Sequence, residues 1–197
     1  THTILTLMNI RARLLTVRSI RLKSWHKFGL LIALATIKFN YATTIYEAFS
    51  FSCSHCYSIE GTIEQLHKQQ NIEAMPIYDV NDINQVAVIN TLFATKHINK
   101  EWLFRNLYFK AVFQLNYPVY DARTLNYVLS TLNLNNQNFY NLAASESVIN
   151  DMQKNAQFAA RSNITGTPTF LVNGIKYEGE QGLSQAINNG ASNNSYR

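Results

Sequence analysis

The sequence contains two cysteines, Cys53 and Cys56, and their surroundings constrain the fold more than any other feature. Thr43 to Phe51 is rich in β-branched and aromatic residues and lacks proline and glycine, which predicts a central strand running into the pair. The stretch from Tyr57 to Gln70 leads away from it. There Ile59, Ile63 and Leu66 recur at helical spacing, which predicts an amphipathic helix. A thiol in the first turn of a helix faces unpaired backbone N–H groups and the positive end of the helix dipole. Both favour the thiolate, the reactive form of cysteine. With two residues between them, the second sulfur can close on the first, so strand, Cys-x-x-Cys and helix together point to a redox pair.

Read alone, the pair admits two other uses. One is a structural bridge, but a loop this short restricts the unfolded chain little, so a bridge there stabilises little. The other is half of a zinc site, but the chain has no second cysteine pair to complete it.

A length of 197 residues suits one domain or one domain carrying an insertion, and an apolar fraction of 47% supplies a core. The formal charge of +5 is unevenly spread. Residues 1–46 hold seven Lys and Arg and no acidic residue, whereas the remainder has ten basic and twelve acidic residues. The basic character therefore belongs to the leader, and nucleic acid is not an expected partner. That leader reads as an export signal over 1–42: a basic stretch to Lys27, an apolar segment over 28–37, and small residues ending at Ala42. The apolar segment is too short to cross a bilayer as a helix. The alternative is that Leu30 to Ile37 is a buried strand. Export and a redox pair agree, because disulfide chemistry belongs to oxidising compartments.

Ile72 to Val80 is a second strand candidate, and Pro76 within it demands an edge or a bulge. Residues 81–162 carry helical spacing and almost no Gly or Pro, which predicts four or five helices. Val86, Ile89, Asn90 and Phe93 form one expected face; Trp102, Leu103, Leu107, Ala111 and Phe113 belong to another. Pro118 and Asp121 suggest a break and an N-cap, and Ser145 or Ser147 a further cap. Strand patterning then returns over 164–172 and 175–177, joined by Asn173-Gly174, a strong hairpin signal. A short last helix is expected over 182–189. The chain thus reads as α/β, with 43–80 and 163–197 forming one domain and 81–162 a helical insertion domain.

Two stretches carry a family resemblance: Glu47-Ala-Phe-Ser-Phe-Ser-Cys53-Ser-His-Cys56-Tyr57, and Gly166-Thr-Pro168-Thr-Phe-Leu-Val-Asn-Gly174-Ile-Lys-Tyr177. Together they resemble the DsbA-type thiol:disulfide oxidoreductases of the bacterial cell envelope. The resemblance implies a thioredoxin fold with an inserted all-helical domain. It implies a periplasmic enzyme, without cofactor or metal, that oxidises newly exported proteins and is reoxidised by a quinone-linked membrane partner of the DsbB type. It assigns Cys53 as the attacking sulfur and Cys56 as the buried resolving one. It gives His55 the part of holding Cys53 as thiolate and Glu47 that of a buried acid relaying protons to Cys56. Thr167 and a cis Pro168 would shape the loop to which a substrate segment pairs as an added strand.

The chain also departs from the family pattern. Ser54 stands where proline is most frequent between the cysteines, and Thr167 where valine is frequent. Met75-Pro76-Ile77 occupies the region of the lysine that accompanies the buried acid. These departures keep a reductase or isomerase of the same fold open as an alternative. A Cys/His protein binding a soft metal ion is another.

Overall fold

The structure is a computed structural model that describes residues 43–195, with side chains described to Gly190. The leader expected over 1–42, and the alternative strand at 30–37, lie outside the described residues.

The first strand, β1 (Ile45–Phe49), is followed by α1 (Ser54–Leu66) and β2 (Ile72–Pro76), which pairs parallel to β1. The crossover needed between parallel neighbours is α1 itself. Five helices follow: α2 (Ile83–His97), α3 (Glu101–Phe113), α4 (Ala122–Thr131), α5 (Gln137–Ala143) and α6 (Glu146–Arg161). The chain then returns as β3 (Thr169–Val172) and β4 (Ile175–Glu178), and α7 (Gly179–Ser195) closes it. The sheet order is β2-β1-β3-β4, with β3 antiparallel to both neighbours. β1 is therefore central, as its composition predicts. β2 lies at a sheet edge among the described residues and ends at Pro76, where a missing N–H costs no ladder bond.

Local chemistry explains most boundaries. Asn173 and Gly174 both take positive φ, 51° and 82°, as a two-residue hairpin turn requires. Asp82, Asp121 and Asn136 cap α2, α4 and α5 by accepting from backbone N–H groups of the first turn. Ser145 stands at the N-cap of α6 but makes no side-chain cap bond. The helical region is poor in glycine, and asparagine takes over its work at helix ends. Asn99, Asn133 and Asn163 follow the C-caps of α2, α4 and α6 with φ of 57°, 55° and 48°.

Four elements differ from expectation. Helix α1 starts at Ser54 rather than Tyr57 and ends at Leu66, because Cys53 caps it. Helix α7 runs well past the expected 182–189. The buried faces of α2 and α3 are also rotated. The α2 core is Val88, Ile89, Leu92 and Phe93. On α3, Phe104, Arg105, Tyr108 and Phe109 are buried while Leu103 is half exposed. Both helices carry apolar residues on several sides, so spacing alone does not choose a face. The aromatic core before the cysteines does: Phe51 packs on Phe109 with ring centroids 5.1 Å apart and on Tyr108 at 4.4 Å. Residues of β1 alternate, with Tyr46 packing against Phe158 of α6 and Glu47 facing the opposite way. Among the described residues no helix is long and apolar enough to cross a membrane.

Candidate active site

Cys53 and Cys56 are joined as a disulfide with Cα atoms 5.2 Å apart. Cys53 is the N-cap of α1, and its Sγ accepts the backbone N–H of Cys56 at 3.0 Å. A sulfur here thus does the capping work that a hydroxyl or carboxylate does at other helices. If the bond opens, negative charge on that sulfur meets the same N–H and the helix dipole. Cys53 is partly exposed, whereas Cys56 is wholly buried. One sulfur is open to attack and the other is closed to it.

The Thr167–Pro168 peptide bond is cis, as the family resemblance implies. The loop stands directly against the disulfide, with the Thr167 carbonyl oxygen 3.4 Å from Cys53 Sγ. Two grooves meet at Thr167. One is lined by His55, Pro168 and Glu178 to Gln181; the other by Ser50, Tyr78, Asp79, Gln85 and Ile164 to Gly166.

His55 is strongly exposed, and its Nδ1 lies 2.7 Å from Glu180 Oε1. The Ser58 hydroxyl donates to the same oxygen at 2.8 Å. These hydrogen bonds, from His55 first and then Ser58, hold the Glu180 carboxyl below its usual range. The contacts of Cys53 Sγ described above are to the Cys56 N–H and the Thr167 carbonyl, not to the imidazole.

Glu47 is wholly buried in β1 and takes both forks of Arg105, from Nη1 at 2.8 Å and from Nη2 at 3.2 Å. Arg105 Nη2 also donates to Glu60 Oε2 at 2.5 Å. The guanidinium is fully buried between the rings of Phe49, at 4.0 Å, and Trp102, at 4.6 Å. Burial works against its charge, but Glu47 and Glu60 outweigh it, so Arg105 stays protonated. The buried cation missing from the second strand is thus supplied by α3. Met75, in β2, is plain core. Glu60 behaves differently. Burial pushes its carboxyl up to about 7; Arg105 opposes the shift and Glu47 adds to it.

The loop before the cysteines is also held from the helical region. Tyr120 Oη lies 2.9 Å from Ser50 Oγ and accepts the Phe51 N–H at 3.2 Å. Its backbone sits at φ 54°, uncommon for an aromatic residue. Glu60, Arg105, Tyr120 and Glu180 are the site residues that sequence reasoning missed. Only Glu60 left a local signal, four positions after Cys56 and hence on the same helix face.

A partly exposed cysteine capping a βαβ helix, its buried partner, and a cis-proline turn facing them define the thioredoxin-type class of thiol–disulfide oxidoreductases, here with a helical insertion. Residues 73–187 match the family model described as the DSBA-like thioredoxin domain, and the chain belongs to that family. The match begins after the cysteines. No curated protein matches the sequence. Among solved structures, DsbA of Pseudomonas aeruginosa is similar at 18% identity and a TM-score of 0.60, over 74% of this chain and 80% of that one. The oxidoreductase DsbA of Xylella fastidiosa is similar at 14% identity and a TM-score of 0.61, over 76% and 84%. The thiol-disulfide exchange protein alpha-DsbA2 of Wolbachia pipientis is similar at 12% identity and a TM-score of 0.58, over 77% and 81%. At these identities the likeness concerns the fold.

Proposed function

We propose that the chain is an exported dithiol oxidase that passes its Cys53–Cys56 disulfide to reduced proteins. The observation that carries this reading is the disulfide itself, with one sulfur accessible at the start of α1 beside the Thr167–Pro168 turn and the other buried. A substrate thiolate attacks Cys53 Sγ. The new substrate–Cys53 bond forms as the Cys53–Cys56 bond breaks, and Cys56 leaves with the electron pair and takes a proton. A second substrate thiolate then attacks the substrate sulfur of the mixed disulfide. Cys53 leaves as a thiolate, the substrate is oxidised by two electrons, and the enzyme is left as the dithiol.

Each residue has a part. Thr167 and Pro168 receive the substrate backbone beside the sulfur. His55, fixed by Glu180, places a titratable imidazole at the positive end of α1 and adds to the field that favours the Cys53 thiolate. Glu47, beneath the site, sets the charge of the pocket behind Cys56 together with Arg105. Residues 81–162 form the inserted domain, which reaches the site through Arg105 and Tyr120. Reoxidation falls to a quinone-linked membrane partner of the DsbB type, and the periplasm suits both reactions.

Equilibration with glutathione tests the direction. The expected potential is clearly more oxidising than that of thioredoxin, about −270 mV. A potential near that value would instead support a reductase or isomerase, the reading that Thr167 and Ser54 favour. Cys53→Ser should abolish oxidation of a reduced, unfolded protein, while Cys56→Ser, left with the Cys53 thiol alone, should attack a disulfide-bearing protein and hold it as a mixed disulfide, one substrate sulfur leaving as a thiolate.

A further inference from the structure

The two grooves beside the disulfide carry charge of one sign. The groove on the α7 side of Thr167 holds Glu178 and Glu180, and the groove on the other side holds Asp79. No lysine or arginine lines either groove among the described residues, and His55 is already bonded to Glu180. Elsewhere on the surface, exposed acids have cations beside them. Glu73 faces Lys96, Asp151 faces Lys154, and Asp121 takes two N–H groups of Arg123. At the grooves the acids meet neutral donors instead. Asp79 accepts the N–H and the side-chain amide of Asn81, at 2.8 and 3.2 Å. Glu178 accepts the Thr165 hydroxyl at 3.4 Å. Lys176, two positions before Glu178 on β4, donates to the Asn163 carbonyl at 2.9 Å instead.

Exposed carboxylates need no cation for stability. What they set is the potential at the mouth of the site. A substrate reacts here as a thiolate, itself an anion. The N–H groups and dipole at the start of α1 attract it at close range. The carboxylates of the grooves repel it on approach. A cation next to the substrate cysteine offsets that repulsion and gains carboxylate partners, whereas an acid there adds to it.

We propose that Asp79, Glu178 and Glu180 make the site select reduced protein segments whose cysteine is flanked by lysine or arginine. The inference rests on the redox reading above and deepens it by naming the substrate class. The reacting disulfide fixes the site, and the carboxylates decide what it accepts. Cys53 Sγ stands 3.4 Å from the Thr167 carbonyl oxygen, and Thr167 lines both grooves. A thiolate attacking Cys53 therefore arrives where the grooves meet. With volumes of about 440 and 340 Å³, each groove has room for a long basic side chain next to that cysteine. Glu180 engages His55 and Ser58 through Oε1 alone, which leaves Oε2 for a substrate cation. Bonds change as in the reaction above. The attacking thiolate bonds to Cys53 Sγ, Cys56 leaves with the electron pair, and a second thiolate completes the substrate disulfide. The three carboxylates take no part in those changes and determine specificity only.

The test uses three end-capped peptides with a central cysteine, flanked on both sides by lysine, by serine or by glutamate. The rate at which each opens the disulfide of the full chain is expressed per peptide thiolate. It is then divided by the same peptide's rate toward hydroxyethyl disulfide, which is neutral and removes differences intrinsic to the thiol. At low salt the wild type should favour the lysine peptide over the glutamate peptide by at least about tenfold, with serine between them. At about 1 M salt, where screening acts over roughly 3 Å, most of that ratio should vanish. Asp79→Asn combined with Glu178→Gln should lower the low-salt ratio to about threefold or less. Glu146→Gln removes an exposed carboxylate from the first turn of α6 instead and should keep the ratio. Glu180 stays in place because it also holds His55. The ratio is internal to each enzyme, so a general loss of activity does not imitate the effect. A wild-type ratio near one, or one unmoved by salt, would overturn the proposal. So would a ratio that survives the double substitution or falls equally in Glu146→Gln. A wild type whose disulfide none of the three peptides opens would overturn the redox reading itself, an outcome distinct from an unselective enzyme.

Discussion

Helix α1 carries two contacts between a carboxylate and a side-chain nitrogen, of nearly equal geometry and opposite behaviour. At its start, Glu180 meets His55 at 2.7 Å in the open. Five residues along, Glu60 meets Arg105 at 2.5 Å inside the protein. Pairing alone would lower both acids. Glu180 is indeed lowered, but Glu60 is raised to about 7. The difference is water. Around Glu180 the solvent stays and hydrogen bonds dominate. Around Glu60 desolvation exceeds the pull of a cation that must also serve Glu47. Burial beside a shared guanidinium is thus what brings a carboxyl toward neutral pH at Glu60. The exposed pair suits a different task, orienting an imidazole at the rim.

The sharpest way to break this contrast is to remove each nitrogen partner. Arg105→Met should destabilise the fold by about 3–5 kcal/mol, since Glu47 is left buried with neither oxygen paired. Denaturant unfolding would measure it. His55→Ala should leave the unfolding midpoint unchanged, because exposed pairs contribute little. Equal losses from the two would mean that burial is not what separates the pairs.

That contrast could not be seen in the chain before it was folded. The strand, the helix spacing, the Asn173–Gly174 turn and the Asp121 cap are local chemistry and were legible. So were Cys53, Cys56 and Thr167–Pro168, which sit in compact motifs. Arg105 was not, because it lies within an aromatic run whose apolar residues occupy several sides of α3. Its partners are Glu47 and Glu60, 58 and 45 residues away in sequence. Glu180 lies 125 residues beyond His55, and only the packing of α7 on α1 unites them. The missed residues all depend on contacts between distant elements.

A second prediction uses the signs of the two shifts. Glu60 has a folded value above its unfolded one, so the folded state binds the extra proton. Its contribution is complete below the ordinary carboxylate range and is lost as pH rises toward about 7, a change on the order of a few kcal/mol. Glu180 is lowered, so its smaller contribution is present at neutral pH and is lost as pH falls. Unfolding free energy measured from acid to neutral pH should therefore decline through the Glu60 window. Glu60→Gln should flatten that decline, and Glu180→Gln should leave it intact. A decline that survives Glu60→Gln would assign it to another group.

The smallest effect expected lies between the two extremes of burial. Tyr120 reaches the loop before Cys53 from the helical region, and its hydroxyl accepts the N–H of Phe51, a residue that is itself fully buried. Tyr120→Phe removes that acceptor without changing the ring, and also frees Ser50 Oγ, which keeps Ser52 Oγ as a partner at 2.9 Å. One partly buried hydrogen bond should cost about 1 kcal/mol of stability. It should cost proportionally more in function, since the same loop leads into the capping sulfur of Cys53. Amide hydrogen exchange at Phe51 and Cys53, compared between wild type and Tyr120→Phe, separates the two effects. Faster exchange confined to these amides would identify Tyr120 as a clasp on the catalytic loop, whereas uniformly faster exchange would reduce it to one contact among many.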